Sequence, residues 1–377
     1  MKDYFNESDF IRFIFPIDGD CLNEYDGLQK DGVLTIKVKV FACPDADLTV
    51  NETKAHYNGE CFEAEIPLYG YRSTLLAVDH KDPATCARIA VYRLPDCTGK
   101  FRLSSDDNIL FLADITRNRD RYHSIFENPY LSVYKAAHDK YGAKVHLNLF
   151  YQFADHPGFT DHKEPFTLSM MTDKFKSEWE ANSDWLHLSF HAKTEFPDKP
   201  YENTDRETIR KECEQVNREI LRFAGEKTLA KVTTIHWGAC NQIGMQSVRS
   251  AGYRGAMGYF EFTEDRRPLV AYYYPDRLID HVGNRDFWKD NEEDVLYGRI
   301  DLVLNCCTLQ NVLPRLEEIR KNPHRGGFME FMIHEQYFYP DYVNYIKDFK
   351  EIVMTACRWA HEHGYQGRLM DEVMFEK

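Results

Sequence analysis

Residues 144–151 read Lys-Val-His-Leu-Asn-Leu-Phe-Tyr. In an extended chain successive side chains point to opposite faces, so Val145, Leu147 and Leu149 share one face and Lys144, His146 and Asn148 the other. The pattern returns at 185–191, where Leu186, Leu188 and Phe190 oppose His187, Ser189 and His191. At 298–305, Ile300, Leu302 and Leu304 oppose Arg299, Asp301 and Asn305; at 328–334, Phe331 and Ile333 oppose Glu330 and His334. Helical stretches lie among these segments, at 129–140, 204–224, 242–251, 309–321 and 342–363. A helix between successive strands forces parallel pairing, because antiparallel neighbours need only a tight turn. Such units repeated across residues 105–377 predict an α/β barrel of roughly seven or eight strands. An open doubly wound sheet is the alternative, but no glycine-rich phosphate loop follows any strand.

Under a helix layer each strand buries its apolar face against the helices, so the polar faces point into the barrel. Buried charge is costly unless paired or ligated. A polar stripe carried by four strands therefore predicts a functional cavity, unless a strand lies at a sheet edge facing water.

Residues 1–104 follow another grammar. Short β-branched and aromatic runs are separated by turn clusters such as Asp18-Gly-Asp and Tyr57-Asn-Gly-Glu. Ile36, Val38 and Val40 alternate with Lys37 and Lys39. This spacing predicts an all-β sandwich ahead of the barrel.

The chain has 377 residues, with 61 acidic against 47 basic side chains and a net charge of −14. Such a surface repels phosphate backbones, which argues against nucleic acid and anionic membranes as partners. No run approaches the roughly 18 apolar residues of a membrane span. The acidic stretch at residues 1–10 does not resemble a signal peptide, and the ten scattered cysteines include no Cys-x-x-Cys pair. Both features predict a cytoplasmic protein with reduced thiols.

In a parallel barrel the chemistry gathers at the C-terminal ends of the strands. The apolar run 109–114 places Asp114 at one such end; others carry His191, His236, His334 with Glu335, and Asp301 or Asn305. A carboxylate and imidazoles converging from separate strands form a donor set that suits Zn²⁺ with an open position for water. Glu195, four residues after His191, adds a carboxylate within reach if that segment turns helically.

The order Phe111-Leu-Ala-Asp114, then Leu188-Ser-Phe-His191-Ala-Lys-Thr-Glu195, then Met332-Ile-His334-Glu335 resembles the polysaccharide deacetylase (NodB-homology) family. The segments 196–201 and 333–342 look like those of bacterial deacetylase-like barrel proteins, and the N-terminal part is similar to immunoglobulin-like modules attached to carbohydrate enzymes. The resemblance covers about residues 107–371 and implies a barrel of glycoside hydrolase or deacetylase type. In that family one strand ends in a pair of aspartates, a later one in His-x-x-x-His and a late strand in Leu-x-His. By this alignment Asp114, His191 and Glu195 hold a divalent metal, with Zn²⁺ favoured, and His334 is the general acid. Ala113 then stands where the catalytic-base aspartate belongs, leaving Glu335, Asp301 or His236 to replace it. The implied activity is metal-dependent hydrolysis of an N- or O-acyl group on a sugar or oligosaccharide. Two alternatives stay open: a non-catalytic carbohydrate-binding relative, and a metal-independent glycoside hydrolase pairing Glu335 with Asp114 or Asp301. Aromatic clusters at Tyr272-Tyr-Tyr-Pro, Asp286-Phe-Trp and 337–342 would suit sugar faces, or equally would pack the loop bases.

Overall fold

A computed structural model of the chain describes residues 3–376 apart from Ser8, Pro95 and Asp155. Met1, Lys2 and Ser8 of the stretch read against a signal peptide thus lie outside the described residues.

The N-terminal part is built from two five-stranded sheets. Val33–Phe41 is central in one, between Arg12–Phe15 and Phe62–Leu68; Arg72–Asp79 is central in the other, between Cys86–Arg93 and Leu48–Val50. Leu34, Ile36, Val38 and Val40 are fully buried and Lys37 and Lys39 exposed, as the alternation requires. They meet Leu48, Val50, Leu75, Ala77, Ile89 and Val91 of the facing sheet in one apolar core. Each such side chain contributes roughly 1.5–3 kcal/mol relative to exposure.

The second part is a ring of parallel strands. We number them β1 (Lys100–Asn108), β2 (Val145–Phe150), β3 (Leu186–Ala192), β4 (Val232–Thr233), β5 (Gly255–Gly258), β6 (Val295–Arg299), β7 (Leu302–Val303) and β8 (Phe328–His334). β1 is flanked by β2 and β8, and β2 by β3. Leu188 of β3 bridges Leu229 just ahead of β4; β5 lies between β4 and β6, and β7 pairs with β8. Because β6 and β7 are successive halves of one interrupted strand, the order returns to β1 and the ring closes. The helices include α1 (Leu110–Arg117), α2 (Pro129–Tyr141), α3 (Lys176–Ala181), α4 (Arg206–Phe223), α5 (Gln242–Ser250), α6 (Asp276–Val282), α7 (Val312–Arg320) and α8 (Phe349–Glu362).

Four expectations change. The run 109–114 is not a strand: it opens α1, which buries Phe111, Leu112 and Ile115. A short apolar run does not by periodicity distinguish a buried strand from the buried face of a helix. The strand is instead Lys100–Asn108, so the barrel begins ahead of the expected boundary at residue 104. The stretch 298–305 breaks between Arg299 and Leu302 and ends in a turn of 3-10 helix, and residues 342–348 precede α8 without joining it.

The polar stripe does face inward, but at the barrel base it is a closed network. Arg102 makes a two-pronged ion pair with Glu330, Nε to Oε2 at 2.8 Å and Nη2 to Oε1 at 2.7 Å, with both side chains at 0% exposure. Its Nη1 donates to His146 Nδ1 at 2.8 Å, leaving His146 Nε2 to donate to Ser189 Oγ at 2.8 Å. Ser189 Oγ donates to Asn148 Oδ1 at 2.6 Å, and Asn148 Nδ2 donates to Asp106 Oδ1 at 2.6 Å. Burial, reinforced by Arg102, holds the His146 pKa well below its ordinary value, so the ring is neutral.

No helix is long and apolar enough to cross a membrane among the described residues. All ten cysteines are free thiols.

Candidate metal centre

At the end of β1 lie two adjacent carboxylates, Asp106 and Asp107. Neighbours in a regular strand face opposite sides. Here the register with β2 shifts between Ser105 and Asn108, and Asp107 adopts a φ of 63°. The bulge re-aims Asp107 while Asp106 reaches Asn148 inside the barrel. His191 is on β3, and His236 opens a single 3-10 turn after β4 in which Trp237 also has a positive φ, 61°. A non-glycine residue held there costs about 1–3 kcal/mol, and such strain concentrates at functional sites.

These three side chains meet. Asp107 Oδ1 is 3.1 Å from His191 Nε2 and 3.3 Å from His236 Nδ1, while the two ring nitrogens are 3.0 Å apart. All three residues are buried, and one donor atom from each lies within 4.8 Å of the others. The outer nitrogens define the protonation. His191 Nδ1 is 2.5 Å from the Thr234 carbonyl, and His236 Nε2 is 3.1 Å from the Glu195 carbonyl. A carbonyl only accepts, so each outer nitrogen carries a hydrogen; a neutral ring would then turn its inner lone pair to a bound ion, whereas a ring that takes a second proton donates its inner N–H to Asp107. Gln336 Nε2 donates to Asp107 Oδ2 at 2.8 Å, leaving Oδ1 for the histidines. Two imidazoles and a carboxylate are a donor set that fits Zn²⁺ or a related divalent ion.

The electrostatics agree with a site short of positive charge. Burial lowers the His236 pKa, but the Asp107 hydrogen bond and charge, with Glu195, outweigh it and raise the pKa above the ordinary value. Burial raises the Asp107 carboxyl, yet His334, His191 and His236 hold it well below the usual range. Glu195, beside them but outside the converging set, is pushed up to about 8 by burial and by the charge of Asp107.

The other predicted residues fall in several places. Asp114 is not at the centre: on α1, its carboxylate takes hydrogen bonds from Asn118, Tyr122 and Asn128 at 2.9, 2.9 and 2.7 Å. Asp107 stands in the converging set where Asp114 was expected, and Ala113 is a buried residue of the same helix. His236, expected as a substitute base, joins the converging set in the place expected for Glu195. His334 is at the rim, its Nδ1 2.8 Å from Asn305 Oδ1 and its Nε2 3.9 Å from Asp107 Oδ2.

Glu335, expected to be catalytic, caps α1. It accepts the backbone N–H groups of Ile109, Leu110 and Phe111 at 2.6, 2.9 and 2.6 Å, and the Tyr339 hydroxyl at 2.7 Å. Burial lifts its carboxyl to about 7 against the pull of those donors. Asp301 lies away from the mouth, its Oδ2 accepting Glu330 N at 2.8 Å. Asp301 thus lies apart from the mouth and Glu335 is engaged by the start of α1, so the pairing of Glu335 with Asp114 or Asp301 expected of a glycosidase does not form at the centre. Asp106 and Asp107 escaped the sequence argument. Their signal was the Asp-Asp pair in Leu103-Ser-Ser-Asp-Asp-Asn108, hidden by taking the following apolar run as the strand.

A cavity of about 230 Å³ opens beside the centre, walled by Asp107, Glu195 and Gln336 and by Phe150, Phe153 and Phe159. The Phe150 ring lies against both histidines, with centroids 5.3 and 5.1 Å away. Of the aromatic clusters, 337–342 reaches this mouth through Tyr342, which packs on Phe159 at 5.1 Å. Tyr274 instead packs on Trp288 and Tyr297 in the barrel wall, so the first two clusters are structural.

No family model matches the chain, and no curated sequence matches it. Among solved structures it is similar to a peptidoglycan N-acetylglucosamine deacetylase, at 9% identity over 75% of this chain and 92% of that one, with a TM-score of 0.40. It is similar to a CE4 family pseudoenzyme from Bacillus anthracis, at 10% identity over 86% and 89% of the chains, with a TM-score of 0.35. A Bacteroides ovatus GH5 xyloglucanase in complex with a heptasaccharide matches at 14% identity over 91% and 99%, with a TM-score of 0.32. Likenesses this loose carry nothing over about activity.

Proposed function

We propose that this protein is a metal-dependent hydrolase that removes an N- or O-linked acyl group from a carbohydrate. The observation that carries the proposal is the convergence of Asp107 Oδ1, His191 Nε2 and His236 Nδ1, with both ring tautomers fixed from behind by backbone carbonyls. These three atoms would hold the ion, Zn²⁺ first among the candidates. When bound, a divalent cation polarises an acyl carbonyl and acidifies the attacking water.

The chain's own groups supply the proton transfers. Asp106 precedes the ligand Asp107 and pairs in register with His334 across β1 and β8. The adjacent pair Asp106-Asp107 meets the requirement of the deacetylase resemblance that Ala113-Asp114 failed, with Asp106 as the base that takes a proton from water. His334, tethered through Nδ1 to Asn305, presents Nε2 to return a proton to the leaving nitrogen or oxygen. A saccharide is supported by the aromatic rim, where Trp237 and Phe196 are 43% and 42% exposed. The same proposal takes the N-terminal sandwich as an immunoglobulin-like module, supported by its two facing sheets. It takes the protein as cytoplasmic, supported by ten free thiols.

Elemental analysis of purified protein is expected to find about one divalent ion per chain, lost in Asp107→Ala and His236→Ala. Asp106→Asn is expected to keep the metal and lose acetate release from acetylated chito- and xylo-oligosaccharides by about 10²-fold or more. A wild-type protein that takes up no divalent metal overturns the proposal.

A further inference from the structure

Beside the metal centre lies more room than an acetyl group fills. The cavity of about 230 Å³ is bounded by the segments that follow β1, β2 and β3, with Leu110, Phe153, Phe159 and Thr194 on its walls. Leu110, Phe153 and Phe159 are each partly exposed, so their side chains keep surface that a ligand can cover. An apolar cavity of about 150 Å³ holds a benzene ring, whereas pockets for a whole small molecule start at about 300 Å³. The volume therefore suits one part of a substrate: a ring with the atoms that link it to a carbonyl. A methyl group would leave most of it empty.

The walls are more apolar than polar. Phe153 and Phe159 meet edge to face with centroids 6.1 Å apart, and Phe159 is backed by Tyr342 at 5.1 Å and His156 at 5.4 Å. Two of the polar groups are engaged within the protein: Gln336 Nε2 donates to Asp107 Oδ2 at 2.8 Å, and His156 Nδ1 accepts Gly158 N–H at 2.9 Å. Gln152, Thr194 and Glu195 are partly exposed.

The strand order β8–β1–β2–β3 decides which part of a substrate enters. His334, the proposed donor to the leaving group, ends β8, with its Nε2 3.9 Å from Asp107 Oδ2. Apart from Gln336, the cavity lies on the other side, among the segments after β1, β2 and β3. A carbonyl held at the centre carries two substituents. With the sugar leaving toward His334, the acyl substituent points the other way, into the ring-lined space.

We infer, resting on the hydrolase reading above, that the preferred substrate carries an aromatic acyl group whose ring packs in this cavity against Phe153 and Phe159. Each further methylene-sized group buried is worth about fourfold in affinity, and ring-to-ring packing adds to that for an aryl group. Full-length, Zn²⁺-loaded protein tests it. Acyl release is measured from N-acetyl-, N-hexanoyl- and N-benzoyl-glucosamine and from the matching 6-O-acyl glucoses, and binding is measured by calorimetry with acetate, hexanoate and benzoate. Benzoyl is expected to exceed acetyl in kcat/KM by about tenfold or more, and benzoate to bind more tightly than acetate by a similar factor. Phe153→Ala and Phe159→Ala should each bring that ratio toward one, and either serves if the other fails to fold. Acetyl released as readily as benzoyl, hexanoyl preferred to benzoyl, or a benzoyl preference unchanged in both variants overturns the inference and leaves the hydrolase reading standing. Release of no acyl group at all overturns the hydrolase reading and the inference with it.

Discussion

The barrel base and the barrel mouth are made from the same side chains, and they behave oppositely. At the base a carboxylate, Glu330, and an imidazole, His146, both face the Arg102 guanidinium, which donates to each. At the mouth a carboxylate, Asp107, and two imidazoles, His191 and His236, face one another with no guanidinium or ammonium within the set. One cluster contains its own cation; the other is a donor set that, under the proposed function, a divalent ion would complete. Residue type and burial do not separate the closed network from the candidate site. The presence of a resident cation does.

The base offers the largest test. Arg102→Met leaves Glu330 buried without its partner and is expected to cost about 3–5 kcal/mol in chemical denaturation. The double variant Arg102→Met with Glu330→Met should recover most of that loss, because paired removal leaves no stranded charge. If the single variant proves nearly neutral, the base is not the closed network described here.

A smaller effect is expected where the two ends of the site are tied together. Glu335 holds the start of α1, just after Asp107, to the end of β8, just after His334. In Glu335→Gln one accepting oxygen becomes a donor facing other donors, at a cost of about 1–2 kcal/mol. Tyr339→Phe, which removes only one of the four hydrogen bonds, should cost less, and thermal melts of the two variants rank them.

The smallest effect is electrostatic and concerns the mouth. In metal-stripped protein the Glu195 carboxyl is raised from 4.5 to about 8. Over that window the folded chain keeps a proton that the unfolded chain releases, so stability falls as pH rises. His236, also raised, acts in the same direction. Melting curves between about pH 5 and 8 should therefore slope downward, less steeply in Glu195→Gln and less steeply after Zn²⁺ is added. An unchanged slope in Glu195→Gln would remove that carboxyl from the electrostatics of the mouth.

Much of this architecture is legible in the sequence because alternation reports burial. The faces of β2, β3 and β8 and the Ile36–Val40 pattern of the sandwich follow from side-chain period alone, and so do His191 and His334 at their strand ends. Asp107 was hidden by a six-residue apolar run that reads equally as strand or helix. It was hidden further by a bulge whose left-handed residue no period announces. The role of Glu335 depends on amide groups more than two hundred positions away in the chain, and that of Asp301 on a strand break. Local pattern carries faces and ends; which carboxylate meets which partner is decided by closure of the ring.

The donor sequence from Arg102 through His146, Ser189 and Asn148 arrives at a single oxygen of Asp106. Its last member is a carboxamide, which gives a hydrogen bond but does not relay an acidic proton at neutral pH. The barrel floor is thus an insulator: if Asp106 serves as the proposed base, a proton it captures finds no relay through the floor. Under the proposed hydrolysis, recharging would use the same opening that admits the substrate, so a bound product would stall the base along with the site.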